Sequence, residues 1–437
     1  MTAKRYRSWG GYPTAEPRDV VPFRWRTRLP DLSTIEAPML PFGLGRSYGD
    51  SCLNDGGVLL DMTAMNQLIA FDREKGLIRC EAGVSLAQVL DLIVPHGWHL
   101  PVTPGTKFVT VGGAIANDVH GKNHHVAGTF GCHVTQFELL RSDGERLICS
   151  PEENVEMFRS TIGGLGLTGV ILWAEFTLRK IPSPLIQSEN TKFGNMDEFF
   201  ALSDSHSETP YTMSWVDCQA TGRNLGRGIF MAGDFYDPPL GHDARASKLT
   251  VSVPPVQLPF SLVGTTTSYL FNQLYFYKQL GKRKQSIGHY EPFFYPLDAV
   301  HHWHRVYGKD GFIQYQFVMP YEDREPIRRV LKQLANSGES SPIVVFKTFG
   351  DIQSPGYLSF PRPGVTLAVD VPNHGAKTLR LLDELDQIVF AHGGALYPAK
   401  DSRMSGENFR KSFPCWEKFA ENIDPKFSSS FWRRVMG

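Results

Sequence analysis

Three histidines crowd one glycine in VTVGGAIANDVHGKNHHVAGTFG, residues 109–131, where His120, His124 and His125 flank Gly121. Imidazoles in that number suit a metal ion, whereas a Gly-Gly step beside hydroxyl donors suits an anion. His120 and His124 have the i, i+4 spacing of two zinc ligands on one helix face. Gly121 between them disfavours a helix, however, and no Glu follows His120 as the zincin pattern requires. A metal-dependent hydrolase on the His120 cluster is thus a rival reading. In the same stretch, from Pro104 onward, Gly105, Gly112 and Gly113 leave room for a diphosphate, and Thr106 and Thr110 offer hydroxyls. A second glycine-rich stretch, GLGRSYGDSCLNDGG (43–57), leads into the strand-like GVLLDM rather than a helix, so it is no Rossmann fingerprint. No Gly-Lys-Ser/Thr follows, so it is no Walker loop either; alone it also fits a structural tight turn. Two separated phosphate loops, neither of Rossmann form, are a rarer combination than one.

The elements that must position these residues can be read from periodicity. From 41 to about 180, short apolar runs alternate with glycine-rich turns around one segment of helical spacing, SLAQVLDLIVPHG (85–97), which predicts a compact α+β unit. IPSP at 181–184 marks a boundary. The region to about 394 is rich in strand-like runs: PYTMSWVDC, GFIQYQFVMP, SPIVVFKTFG and GVTLAVDV. A period of two puts Phe312, Gln314, Gln316 and Val318 on one face, then Ile343, Val345, Lys347 and Phe349, then Thr366, Ala368 and Asp370. Those polar groups form either a half-solvated sheet face or the wall of a substrate cavity. Residues 249–285 mix prolines and aromatics with a basic end (Lys278, Lys282, Arg283, Lys284), which fits a membrane interface or a partly buried loop. The histidines of HHWHRVYG (301–308) are read as solvated helix residues.

Composition bounds the partners. Lys plus Arg and Asp plus Glu both number 45 in 437 residues, so no basic surplus points to nucleic acid. The six cysteines lie far apart with no CxxC pair, which predicts a reduced, cytosolic protein. The basic N-terminus has no apolar stretch behind it, and no apolar run is long enough to span a bilayer. The expected location is cytoplasmic or at the membrane periphery.

GLGRSYGD, PGT, VTVGGAIA, DVHGKNHH, GLTG, QYQFV, FKTFG, LSFPRPG and PAKDSR, in this order, resemble the flavoproteins of the vanillyl-alcohol-oxidase type. Within that type the chain is most similar to the family of flavoprotein subunits of decaprenylphosphoryl-β-D-ribose 2'-epimerase. The resemblance implies a two-domain α+β FAD-binding fold of the PCMH type. Residues 1–182 would bind FAD, rejoined by 395–437, and 183–394 would form a substrate domain on an antiparallel sheet. It implies oxidation of a sugar hydroxyl, the 2'-hydroxyl of a polyprenyl-phosphate pentose, as the first half of an epimerisation. A separate NAD(P)H-dependent short-chain reductase would complete it, in the supply of arabinose for a cell wall.

Carried over residue by residue, the FAD cradle comprises Gly43, Leu44, Gly45, Arg46, Ser47, Tyr48, Gly49 and Asp50 of the first loop. The second loop adds Gly105, Thr106, Thr110, Val111, Gly112, Gly113, Asn117, Asp118, Val119, His120 and Gly121, with Val170 or Ile171 and Tyr397 closing around the cofactor. Arg46 stands where some relatives carry the histidine that bonds to FAD, so non-covalent binding is expected. Lys400 of PAKDSR would reach the flavin, either as a fixed cation that stabilises developing negative charge or as an acceptor of the hydroxyl proton; a purely structural lysine would instead pair with Asp401 or another acid. The implied catalytic set is Lys400, His120, Lys347 and Gln316, and the implied substrate wall is Trp215, Gln314, Gln316, Lys347, Phe349, Thr366 and Ala368. Ala368 replaces a cysteine found in relatives, and Val365 and Thr366 differ too, which bears on the substrate. The same motifs also fit a soluble sugar, alditol or aldonolactone oxidase using oxygen, or a non-catalytic binding protein that kept the fold.

Overall fold

The structure is a computed structural model and describes residues 6–237, 251–253, 258–339 and 341–437. Residues 249, 250 and 254–257 of the aromatic-basic segment lie outside the described residues.

The N-terminal third supplies two sheets. In the smaller, the parallel strands β1 (Asp19–Pro22), β3 (Val58–Asp61) and β2 (Met39–Phe42) lie in the order β1-β3-β2. In the larger, β4 (Leu68–Asp72), β5 (Leu77–Glu81), β9 (Val170–Thr177), β7 (Val134–Leu140) and β8 (Arg146–Cys149) are antiparallel neighbours in that order. A short ribbon pairs β6 (Trp98–His99) with β10 (Arg179–Lys180), where the chain leaves this unit before IPSP. Helix α1 (Leu86–Ile93) forms where the 3.6-residue spacing predicts it, burying Leu86, Val89, Leu90 and Ile93. Ser85 opens α1 with a capping box: its hydroxyl accepts from Gln88 N while the Gln88 side chain accepts from Ser85 N. Three further short helices follow: α2 (Val111–Ala116), α3 (His124–Ala127) and α4 (Val155–Thr161).

Residues 185–396 build an eight-stranded sheet in the order β15 (Arg283–His289), β11 (Leu185–Phe193), β13 (Gly228–Phe235), β12 (Tyr211–Val216), β18 (Val344–Phe349), β19 (Gly364–Pro372), β17 (Phe312–Met319) and β20 (Ala395–Leu396). Every pairing in it is antiparallel. One face is covered by α5 (Met196–Ser205), α8 (Glu325–Ser337) and α9 (Ala376–Ala391). Alternation makes this possible: Ile313, Tyr315, Phe317 and Met319 of β17 enter the core shared with Ile327, Val330, Leu331 and Leu334 of α8 and with Leu382 and Leu385 of α9, leaving Gln314 and Gln316 to the opposite face. Gly338 closes α8 with φ 71°, where a side chain would be strained.

On the far side of the sheet lies α6 (Thr265–Tyr277), with α7 (Tyr290–Phe294) later in the chain; the two-residue strands β14 (Val251–Ser252), before α6, and β16 (Val300–His301), after α7, pair in parallel. The chain then returns to its first third through α10 (Gly406–Ser412), α11 (Trp416–Ala420) and α12 (Ser430–Met436). Arg434 of α12 holds Asp50 through two hydrogen bonds and Asp401 through a third, all at 2.8 Å. The fold is α+β, and no helix of the described residues is long and apolar enough to cross a membrane.

HHWHRVYG differs from expectation. His301 and His302 are exposed as expected, but the segment forms a 3-10 turn over Trp303–Tyr307 rather than an α-helix, and His304 packs at 4.2 Å against Trp9.

Candidate active site

The uncovered face of β17, β18 and β19 and the two glycine-rich loops enclose a cavity of about 410 Å³, within the range of small-molecule sites. Glycines let the loops approach each other and their neighbouring segments closely. A Cβ at Gly43 would lie 2.6 Å from Thr110 Oγ1, and one at Gly49 only 1.6 Å from the Asp401 carbonyl. Gly112 donates its N–H to Ala82 O at 2.8 Å, with no space for a side chain against Ala82. Gly105, by contrast, faces open space. Residue type alone assigns Gly112 to a diphosphate; the structure gives it, with Gly43 and Gly49, to close packing between segments. Thr110 caps α2 by accepting from Gly113 N, and Thr106 accepts from Phe108 N.

Most residues of the implied cradle line the cavity: Gly43 to Tyr48, Gly105, Thr106, Thr110, Gly112, Gly113, Asn117, Val119, His120, Gly121, Ile171, Tyr397 and Lys400. Gly49 and Val111 lie behind the lining, and Val170 is buried in the core of the first sheets. Two acids are used up elsewhere. Asp50 pairs with Arg434, and Asp118 is fully buried, accepting from Gly131 N, Ser354 Oγ and Ser359 Oγ. Asp118 therefore ties the second loop to the segment after β18.

Gln314, Gln316, Lys347, Thr366 and Ala368 of the implied wall face the cavity, joined by Met213, Ile343 and Val345. Trp215 does not line it: its ring packs with Ile229, Phe276 and Tyr275 beneath α6, and its indole N–H donates to Pro342 O. Phe349 is also outside the lining, with its ring edge-on to His120 at 4.9 Å and near His124 at 4.6 Å. The three histidines diverge. His120 contacts Gln316 and Lys347, His125 bonds to Thr209 O, and both ring nitrogens of His124 are buried without a partner. Among the described residues no group of His, Cys, Asp and Glu is placed to hold a metal ion.

Three amines line the wall. Lys347 donates to Gly121 O at 2.6 Å and meets His120 Nδ1 at 3.0 Å. Burial pushes its ammonium down to about 7, with the nearby charge of Lys122 adding to the effect. Lys122, which donates to Phe293 O, is likewise pushed down to about 7 by burial. Lys400 rests its ammonium 3.6 Å from the centre of the Tyr48 ring. Burial lowers Lys400 to about 7 too, opposed by the negative charge of Asp370. Burial also holds His120 well below its ordinary value, as do the charges of Lys347 and Lys400, so the ring is neutral.

Strand alternation marks Asp370 only as a polar face residue, and the resemblance marks Tyr48 only as part of the first loop; the structure gives both a further task. The Asp370 carboxylate accepts from the Gln314 amide, its second oxygen is buried without a partner, and burial raises it to about 7. Gln314 also bonds to the Tyr48 hydroxyl, so Asp370, Gln314 and Tyr48 together fix the ring on which Lys400 rests. The signal is present in the alternation of β19, which puts Asp370 on the face of Thr366 and Ala368.

Residues 33–150 match the family model described as an FAD binding domain. The residues present fit that cofactor: the open face of Gly105, a run of backbone from 43 to 48, and buried, unpartnered Arg46 Nε and Ser51 Oγ beside the cavity. The chain is 38% identical over 412 residues to decaprenylphosphoryl-β-D-ribose oxidase of Mycolicibacterium smegmatis, covering 90% of this chain and 88% of that one. It is 31% identical over 369 residues to an uncharacterised protein of Streptomyces coelicolor, covering 80% of this chain and all of the relative. L-Gulonolactone oxidase of Bos taurus shares 33% identity over 166 residues, 38% of this chain and 36% of the relative. Two loops that meet over a polar sheet face, a lysine carried back by the C-terminal segment and this extended likeness lead to one conclusion: the chain belongs to the decaprenylphosphoryl-β-D-ribose oxidase family of FAD-binding oxidoreductases.

Proposed function

We propose that this enzyme oxidises the 2'-hydroxyl of a polyprenyl-phosphate pentose to a ketone, with FAD held non-covalently. The observation that carries the reading is the charge of the cavity. Arg46, Lys122 and Lys400 line it against one carboxylate, Asp298. Such a wall favours an anionic substrate over a free sugar. When bound, FAD supplies the two-electron oxidant that accepts hydride from the carbinol carbon. The Lys400 ammonium, held over Tyr48, stabilises the negative charge that this transfer creates. Gln314 and Gln316 suit the sugar hydroxyls, and small Ala368 leaves room beside them. At position 46 an arginine stacks at 4.0 Å on Trp9 in place of a bond-forming histidine, which supports dissociable FAD.

The lipid-linked substrate finds support in α6. Ser268, Asn272 and Phe276 face inward, while Tyr269, Leu270, Phe271, Leu274 and Tyr277 are exposed, with Leu280 beyond them. An apolar face turned outward beside Lys278, Lys282, Arg283 and Lys284 fits the surface of an anionic bilayer. The enzyme then works at the membrane periphery on the cytoplasmic side. Its ketone product requires reduction from the opposite face by a separate NAD(P)H-dependent reductase to complete an epimerisation.

The test is anaerobic mixing of the FAD-loaded protein with prenylphosphoryl-β-D-ribose, followed by acid precipitation. Bleaching of the flavin band, and release of yellow FAD to the supernatant, is expected. Bleaching by free sugars or aldonolactones alone would replace this reading with a soluble sugar oxidase, and flavin kept in the pellet would mean a covalent link.

A further inference from the structure

The hydrogen bonds around His120 fix where a proton is missing. Thr366 donates its hydroxyl to Phe317 O at 2.7 Å, so towards Gln316, 3.3 Å away, it offers only lone pairs. The Gln316 group facing Thr366 is therefore the amide NH₂, and the same nitrogen lies 3.1 Å from His120 Nε2. His120 must accept at Nε2, and a neutral imidazole that accepts at Nε2 carries its proton on Nδ1. That Nδ1–H points at Lys347 Nζ, 3.0 Å away. An ammonium there would set donor against donor; a neutral amine accepts from Nδ1–H with its lone pair and still donates to Gly121 O.

We propose that Lys347 meets the substrate as a neutral amine, kept neutral by the Thr366–Gln316–His120 chain, and is the base that takes the substrate's hydroxyl proton. The inference rests on the oxidation proposed above and assigns the proton half of it. With FAD bound, the carbinol C–H hydrogen and both electrons of that bond would go to it as the oxidant. The O–H bond breaks with its electron pair closing the C=O bond, and the proton bonds to the lone pair of Lys347 Nζ, which gives up its hydrogen bond from His120 Nδ1–H as it does so. The resulting ammonium faces His120 Nδ1–H, so it readily gives its proton back to water after the product has left. Lys400 is thereby left as the cation on Tyr48, and the two lysines divide the work.

The surroundings agree. Gln316, Lys347 and Thr366 are almost wholly buried. The titratable groups facing Lys347 are His120 and Lys122 of the second loop and His124 and His125 of α3, with Lys400 facing His120 in turn. Among the described residues no carboxylate pairs with Lys347, so nothing opposes loss of its proton.

The experiment uses the full-length, FAD-loaded protein labelled with ¹⁵N-histidine. At pH 8 the resonance that moves in Lys347→Met is expected to be an Nδ1–H tautomer in the wild type. An Nε2–H tautomer would mean that Lys347 donates to His120 Nδ1 and that the chain does not hold it as an acceptor, and would overturn the proposal whatever the substrate. The second arm follows flavin reduction by prenylphosphoryl-β-D-ribose at pH 8. Lys347→Met and Lys347→Arg should both keep FAD and slow reduction by roughly 10²–10⁴-fold, the range for loss of a general base, and methylamine should partly restore Lys347→Met. A wild-type rate in Lys347→Arg would show that charge, not basicity, is needed. If the prenyl phosphate fails to reduce even the wild type, the substrate assignment falls while the tautomer still decides the base.

Discussion

Asp370 illustrates how a buried group can act on a site without lining it. Its carboxyl is raised to about 7, so it is anionic above that pH and neutral below it. Its negative charge raises the Lys400 ammonium against the effect of burial. Asp370→Asn removes that support only where the wild-type carboxylate is charged. Flavin reduction in the variant should thus match wild type near pH 6 and fall about tenfold near pH 8, where Lys400 loses the neighbouring charge that helps it keep its proton; a pH profile checks this, and a uniform loss would indicate a structural role instead. The face to which Gln314, Gln316, Lys347, Thr366, Ala368 and Asp370 belong is legible in the sequence because side chains in a strand alternate strictly. Trp215 and Phe349 share those faces yet lie outside the cavity, since alternation gives a side and says nothing of how far along the strand the cavity extends.

Among the elements, α1, β12, β17, β18 and β19 form close to where periodicity predicts them, because each carries its own pattern and, for α1, its own cap. Helix α6 is not announced in this way. Its inward positions carry Ser268 and Asn272, the latter bonded to Asp217, while aromatic and aliphatic side chains face out, so no apolar stripe marks the buried side. That inversion yields a prediction at this scale. Leu270→Glu with Leu274→Glu removes exposed apolar area without touching the core, and should weaken binding to anionic liposomes at least tenfold in a sedimentation assay, with flavin content and thermal stability unchanged. Undiminished binding would remove the membrane role from α6.

The whole molecule depends on the return of its C-terminal segment. Tyr48 N donates to Ala399 O at 2.8 Å, Gly49 abuts Asp401, and Arg434 bridges Asp50 to Asp401, so the first loop and the lysine turn are one packed unit. Arg434→Met leaves two buried carboxylates without their cation and should cost about 3–5 kcal/mol, read as a lower denaturant midpoint together with weaker FAD retention. The sequence by itself determined the α+β class, the two glycine-rich loops, the polar strand face and, through its resemblance, the cofactor. Each of these is written in residue type and local spacing, which fix backbone conformation and the direction of each side chain. Only the tertiary structure decided that Gly43, Gly49 and Gly112 serve close contacts between segments, that Asp50 and Asp118 are tied away from the cavity, and that His120 stands between Gln316 and Lys347. Many of those contacts join residues far apart in the chain, and no local pattern encodes them: they exist because packing the two units and the returning segment brings those atoms within reach.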